Sequence, residues 1–385
     1  MLRRLSLETA GESHGSGIVA ILSGIPRGVA IDAAQLEDAL DRRRRGHGRS
    51  SRQKIESDPV EWLGGVRGGT TTGAPVAFRV ANREASLASM PPVHEPRPGH
   101  ADLSGMLRWN LDDARDVLER ASARETVARV VAGAVARSLL AAIGVHVAGA
   151  TRAIGDVRAA DAAFDRPLDA LVAARDASPV LCPDEVASAR MVEAIDAARA
   201  DGDTLGGIVE VRVTNPLAGL GSVATASERL EARLGAALLA VPAVKGVEIG
   251  PAFDVAARRG SAAHDAILSG PEGLHRPTNH AGGIEGGMSN GEPIVVRAAM
   301  KPISTLMRPL PSVDVRDGSP SRALVERSDV CAVPPLGVIA EAVTALVIAD
   351  AVLERVGGTT LDEVADTVAR IRRRHDDFRR RGKRI

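Results

Sequence analysis

Two histidines and a set of arginines stand where their neighbours would let them do chemistry. His14 lies in Gly11-Glu12-Ser13-His14-Gly15-Ser16-Gly17, and His100 follows a Pro-Gly turn in Arg97-Pro98-Gly99-His100-Ala101-Asp102. An imidazole can give or take a proton near neutrality, and flanking glycines let the backbone approach a ligand and offer amides to an anion. A histidine between glycines is also an ordinary turn residue, so neither decides the matter alone. A helical pattern from about Asp112 to Ile143 puts Arg120 and Arg124 one turn apart on one face, where like charges cost an isolated helix about 0.2–0.5 kcal/mol. A bound anion would offset that cost, and so would i,i+4 pairs of Asp116 with Arg120 and of Glu125 with Arg129. Arg42-Arg43-Arg44-Arg45-Gly46-His47-Gly48-Arg49, with Arg52 and Lys54 behind it, carries more cations than a helix C-terminus needs. The segment lacks the aromatics that stack nucleic-acid bases. Guanidinium forks on the phosphates or carboxylates of a small ligand fit it better, with a solvated basic loop as the alternative.

The whole chain has 385 residues, 44% of them hydrophobic, with 49 basic and 49 acidic side chains. That length favours two domains or one large α/β unit. Zero net charge argues against a chain-wide field for nucleic acid or membrane, so local arginine clusters need a local reason. Cys182 and Cys331 are the only cysteines, without CxxC or His/Cys spacing for a metal, which fits a reducing compartment and no metal site. Met1 leads into no signal-like apolar run, and no window reads as about 18 apolar residues of a membrane span. A soluble cytoplasmic protein is expected.

These groups must be positioned by regular elements. Ile18 to Leu22 reads as a strand, and Asp32 as the N-cap of a helix through Leu36 and Leu40. The stretch Gly64 to Arg79 lies without gaps on Gly282 to Arg297, 218 positions later, with seven of sixteen residues identical. Pro26-Arg27-Gly28 has a looser echo in Pro216-Leu217-Ala218-Gly219. Two related halves follow, at about 1–155 and 203–356, with a peripheral insertion at about 156–202, a short helix near Met191 to Ala200, and a C-terminal helix and basic tail at 359–385. The fold expected is α/β (α+β), a pseudo-twofold sandwich with a cleft between the halves. The loop from Arg258 to His280 reads as a lid or disordered surface. Val338 to Val356 reads as a central apolar helix, and Thr360 with Glu363 as a capping box.

Six motifs in order give the chain a family resemblance from about residue 8 to 355. They are Gly11 to Gly15, Arg97 to Asp102, Arg120-Ala121-Ser122-Ala123-Arg124-Glu125-Thr126, Val244 to Gly250, Asn279 to Gly283, and Lys301-Pro302-Ile303-Ser304-Thr305. Together they resemble chorismate synthase. The resemblance implies a homotetramer of β-α-β sandwich subunits that eliminates phosphate from 5-enolpyruvylshikimate 3-phosphate, using reduced FMN without net redox change. By motif, His14 and His100 match the family's two acids, one toward the leaving phosphate and one toward the flavin, and Asp329 matches the aspartate that assists removal of the ring proton. Arg43 and Arg49 match positions for substrate or NADPH, and Arg97, Arg124 and Arg327 would hold substrate anions. Flavin contacts would be Arg120, Ala121, Ser122, Pro242, Ala243, Gly286, Lys301, Pro302, Ile303, Ser304, Thr305 and Arg327. Either the chain reduces its flavin with NADPH or a separate flavin reductase does so. The chain departs from the common pattern at Arg108-Trp109, at Ser328 and Val330, and in a short connection from Asn82 to Arg97. Two rival readings are a flavin-free hydrolase or lyase using both histidines, and an Arg-rich nucleic-acid module; neither nucleic acid nor membrane is the expected partner.

Overall fold

The computed structural model describes residues 2–50, 57–271, 273–326 and 328–380. Arg327, Arg52 and Lys54 lie outside the described residues. The first half runs β1 (Ser6–Ala10), β2 (Gly17–Ser23), α1 (Ala33–Arg44), β3 (Val60–Gly64), β4 (Val76–Ala81), α2 (Asp102–Trp109), α3 (Arg115–Arg120) and α4 (Thr126–Ala142). The chain continues as β5 (His146–Ile154), which opens the second sheet, β6 (Val157–Arg158), α5 (Leu168–Asp176), α6 (Glu185–Ala200), β7 (Gly207–Thr214), α7 (Leu230–Leu239), β8 (Val244–Ile249), β9 (Ile294–Met300), α8 (Val333–Val356) and α9 (Leu361–Arg380). The first sheet has the order β1-β2-β4-β3, and the second, read from its far edge, β6-β5-β7-β9-β8. Removing β6 leaves the same antiparallel order twice, which is the internal repeat seen in strand pairing.

Glycine conformations carry the repeat to atomic detail. Gly65, Gly68, Gly69 and Gly73 have positive φ, and so do Gly283, Gly286, Gly287 and Gly291. A Cβ on Gly65 would sit 2.6 Å from Val76 Cα, and one on Gly283 would sit 2.8 Å from Ile294 Cα, so both turns admit only glycine. Thr71 Oγ donates to Pro26 O at 2.7 Å, and Ser289 Oγ donates to Leu217 O at 2.6 Å. The Gly28 amide donates to Thr71 O, and the Gly219 amide to Ser289 O. The structure thus aligns Pro26 with Leu217, one position away from the proline match suggested by the sequence.

Strand alternation explains which side of the first sheet is covered. Ile18, Ala20 and Leu22 of β2 and Val76, Phe78 and Val80 of β4 are buried, while Val19 and Ile21 are 38% and 50% exposed on the other face. The covered faces of both sheets enclose α4 and α8, which pack on each other. Gly133 makes this close approach possible, since a Cβ there would come 2.5 Å from Ala342 Cα. Prolines 334 and 335 in the first turn of α8 are tolerated because the first helical amides need no intrahelical partner. By length and composition α8 could cross a membrane, contrary to the reading that no window does so, but its apolar stretch is wholly buried in protein.

Other expectations need correction. The helix expected from Asp112 to Ile143 is broken into α3, a 3-10 turn at Ala123–Glu125 and α4. The Arg258–His280 loop contains a helical turn, Gly260–Ala263, and a hairpin of Leu268–Gly270 with Gly273–His275. The 156–202 segment holds two helices, α5 and α6, where one short helix was expected. Arg372, expected in a solvated tail, anchors α9 by donating to Asn215 Oδ1 at 2.7 Å and Ile143 O at 3.2 Å. The capping box is present, with the Glu363 carboxylate accepting from the Thr360 amide at 3.2 Å.

Inside the sandwich, Glu341 of α8 is enclosed by Arg42 at 3.0 Å, Arg175 at 3.3 Å and Arg137, and accepts the Gly149 amide at 2.9 Å. Burial opposes its charge, but the three guanidinium groups outweigh that and bring the carboxyl from 4.5 down to about 2. A carboxyl with a depressed folded-state pKa stabilises the fold fully above the unfolded value and loses that contribution as pH falls through the folded one. Glu341→Gln should therefore cost about 3–5 kcal/mol near neutral pH by stranding buried cations. The difference from the parent should shrink as pH falls from about 4.5 toward about 2. Denaturant midpoints across that range check both the size and the direction.

Candidate active site

The loop carrying His14 is clamped from outside its own sequence. The Asn82 amide donates to Glu12 O at 2.9 Å and Gly15 O at 2.8 Å, and Leu87 N–H donates to His14 O at 3.0 Å. Glu119, at the end of α3, accepts the His14 amide at 2.9 Å and lies 2.8 Å from His14 Nδ1. Its carboxylate is fully buried and takes Arg115 Nη1 at 3.3 Å, which also reaches Glu326 at 2.9 Å. Burial works against the Glu119 charge, yet the hydrogen bonds and charge of His14, with Arg115, hold its carboxyl below the ordinary range.

Asn82 leads from His14 to the expected arginines. Its Oδ1 accepts Arg124 Nε at 2.7 Å, and Arg124 also meets Asp58 at 2.5 Å and Ala81 O at 3.1 Å. Asp58 is buried and approached by Arg43 at 3.8 Å and Arg44 at 4.0 Å. Arg43 donates to Ala123 O at 2.9 Å and to Thr126 Oγ1 at 3.0 Å. Burial lowers its guanidinium to about 10, with Arg124 and Arg49 adding repulsion against the support of Asp58. A bound anion would relieve that repulsion. Arg49 pairs with Asp329, whose other oxygen accepts the Ser50 amide at 2.7 Å.

Not every cation of the basic run is available to a ligand. Arg42 is committed to Glu341 and Asp38, and Arg45 pairs with Asp41. Arg120 and Arg124 do not share a helical face, because the chain turns at Ser122, whose hydroxyl accepts the Arg124 amide at 3.3 Å. Arg120 instead extends over the surface to Thr9 O at 3.1 Å, while Arg124 is buried. The Glu125–Arg129 pair is present at 3.0 Å.

His100 belongs to a second cluster. Arg97 places its backbone amide and Nε on buried Asp102, at 3.1 and 2.9 Å, and its Nη1 on Thr305 Oγ1 at 2.9 Å. His100 Nδ1 bonds Asp102 and lies 3.0 Å from Arg97 Nη2. Burial opposes ionisation of Asp102, but His100 and Arg97 hold it well below the usual carboxylate range. Lys301 Nζ and Ser304 Oγ both donate to Gly99 O, the latter at 2.9 Å, and the Lys301 amide donates to Ala243 O at 3.0 Å. Thus Lys301, Ser304 and Thr305 converge on the turn that carries His100, and Ala243 holds Lys301 from behind. The Ile303 carbonyl is held apart from it by Thr204 Oγ1 at 2.8 Å, and Gly286 turns a separate hairpin facing Val223.

The chorismate synthase family profile matches residues 5–353. The chain belongs to the chorismate synthase family. Chorismate synthase from Nocardia farcinica is 52% identical over 94% of this chain and 93% of its own length. The chorismate synthase of Acidothermus cellulolyticus is 52% identical over 95% and 96%, and that of Thermobifida fusca 50% over 97% and 98%. A crystal structure of chorismate synthase superposes with a TM-score of 0.80 at 35% identity, covering 97% of this chain and all of that one. Such coverage places the β-α-β sandwich, with its repeat, within the chorismate synthase fold.

Sequence reasoning missed Asp58, Asn82 and Arg115, and read no role into Glu119 or Asp102. Only the motif neighbours of Glu119 and Asp102 could have drawn attention to them; nothing in the chain links Asn82 to residues 12, 15 and 124. A cavity of about 570 Å³ beside Arg42, Arg137 and Arg175 lies away from both histidine clusters, and its cations already serve Glu341. Asn82→Ala removes the clamp on the His14 loop together with the Arg124 contact. It should lower stability by about 1–3 kcal/mol through unpaired buried groups, read as a reduced denaturant midpoint.

Proposed function

We propose that this chain, a lyase of the chorismate synthase family, eliminates phosphate from 5-enolpyruvylshikimate 3-phosphate in the anti-1,4 sense to give chorismate, with reduced FMN bound beside the His100 turn. The observation that carries this reading is identity with chorismate synthases across nearly the whole chain. The residues present fit a flavin phosphate and its ring carbonyls: an ammonium and a hydroxyl gather on Gly99 O, a guanidinium on Asp102, and the Thr305 hydroxyl on that guanidinium. Gly99 has a φ of +78, and a Cβ there would sit 3.2 Å from Lys301 Nζ and 3.5 Å from Ser304 Oγ, filling the space between the two turns. When bound, reduced FMN supplies the transient electron of the family's elimination.

The chain's own groups bind, orient and move protons. Arg43, Arg49 and Arg124, with Arg97 and Arg327, meet the substrate's carboxylates and phosphate. His14 gives a proton to the departing phosphate, and His100 holds one toward the cofactor. Asp329, oriented by Arg49 and the Ser50 amide, assists removal of the ring proton. Arg120, Ala121, Ser122, Pro242, Ala243 and Gly286 complete the cofactor contacts, alongside the 301–305 turn. The reading extends to a cytoplasmic homotetramer, supported by the exposed Val19, Ile21 and Leu63 on the outer face of the first sheet. FMN would be reduced by NADPH on this chain or by a separate reductase.

Purified protein given substrate and anaerobically reduced FMN should release phosphate and form chorismate in equal amounts, and should do neither without the flavin. Flavin-independent phosphate release would replace this reading with a hydrolase or a different lyase. His100→Ala should lower turnover by about 10²–10⁴-fold while the FMN dissociation constant stays within a few-fold. Equal turnover in variant and parent would remove His100 from the chemistry.

A further inference from the structure

We infer that Glu119 is the positioning residue of His14: a buried carboxylate that fixes the orientation and tautomer of the imidazole and keeps its proton at Nε2 for delivery. The inference rests on the reading of His14 as the acid toward phosphate. Its foundation is a double contact, since one carboxylate accepts the His14 amide at 2.9 Å and lies 2.8 Å from Nδ1. Backbone and ring are thereby fixed together. An ionised carboxylate at Nδ1 requires a proton on that nitrogen, which assigns the transferable proton to Nε2. The Glu119 side chain is fully buried, whereas that of His14 is 15% exposed, so the orienting group is shielded and the acid is reachable.

Among the described residues, the charged neighbours of this pair include Arg115 on Glu119 from the same helix and Glu326 on Arg115 from the distant 320–326 segment, with Glu12 beside Gly15 in the histidine loop. Arg115 bridges the two carboxylates and keeps Glu119 from needing a proton of its own. His100 has a related arrangement, with Asp102 bonded to both the imidazole and the Arg97 guanidinium, which here also lies 3.0 Å from His100 Nδ1. In the proposed step the Nε2–H bond breaks with its electron pair staying on nitrogen. The proton bonds to the phosphate oxygen that receives the electron pair of the breaking C–O bond. His14 ends neutral and Glu119 remains an anion.

Glu119→Gln keeps the size and one acceptor while removing the charge. It should lower kcat by about ten- to a hundredfold with KM within about twofold. In a His14→Ala background the same substitution should change kcat by less than about twofold; an equal loss in both backgrounds would reduce Glu119 to a structural role and overturn the inference. An activity-independent readout is the tautomer of the neutral His14 ring, read by 15N NMR of histidine-labelled protein: the parent and Glu119→Asp should hold the proton on Nδ1, facing the carboxylate, whereas Glu119→Gln, whose carboxamide can accept from or donate to Nδ1, should give a mixture. An unchanged tautomer in Glu119→Gln overturns the inference. A changed tautomer in protein that forms no chorismate would uphold the Glu119–His14 coupling while the proposed function fell.

Discussion

A guanidinium taken out of water must meet a carboxylate or a carbonyl, and the interior of this protein is arranged around that requirement. Arg124 and Arg43 lie at Asp58, Arg97 at Asp102, Arg115 at Glu119, and Arg42, Arg137 and Arg175 at Glu341. Each carboxylate is fully or almost fully buried, so removing one partner would strand the other. These clusters carry local excesses of cation, three guanidinium groups on Glu341 and two on Asp58, in a chain whose basic and acidic totals are equal. Cationic density can be built beside a ligand without giving the surface a chain-wide field.

Two of these pairs hold the histidines that the proposed function uses as acids. At each histidine one carboxylate is shared by an imidazole and a guanidinium, Glu119 with Arg115 and Asp102 with Arg97. The histidine and the guanidinium together hold each carboxyl below its ordinary range against the cost of burial. The Glu341 cluster uses the same chemistry for a different purpose, joining α1, α4, α5, β5 and α8 across the sandwich. Arg42 and Arg43 are neighbours in one basic run, yet one faces this structural cluster and the other faces Asp58.

The repeated halves supply a frame on which this asymmetry is built. Turn glycines, the Thr71 and Ser289 hydroxyl bonds, and the cross-strand Glu61–Arg79 and Glu248–Arg297 pairs recur in both. The histidine turns and the Asp58 cluster occupy the first half, while the second sends its 301–305 turn back to Gly99 and Arg97. A site formed across related halves draws its donors from segments about 200 positions apart, held by sheets that share one plan.

Local pattern was sufficient for the strands, for the cap of α1, for the buried character of α8 and for the glycine repeat, because alternation and positive-φ turns depend on near neighbours. The ordered motifs likewise marked His14, His100 and the 301–305 turn. Tertiary structure alone decided that the 112–143 pattern breaks at Ser122, sending Arg120 to the surface and Arg124 to Asp58. It alone decided that Asn82 clamps the His14 loop, that Glu119 holds His14 and that Arg97 reaches Thr305. The reason is physical: helical and strand periodicity report which face is apolar, whereas the partner of a buried charge is whichever opposite group the packed layers bring within about 3 Å. That distance is set by how two sheets close on α4 and α8, and no short stretch of chain contains it.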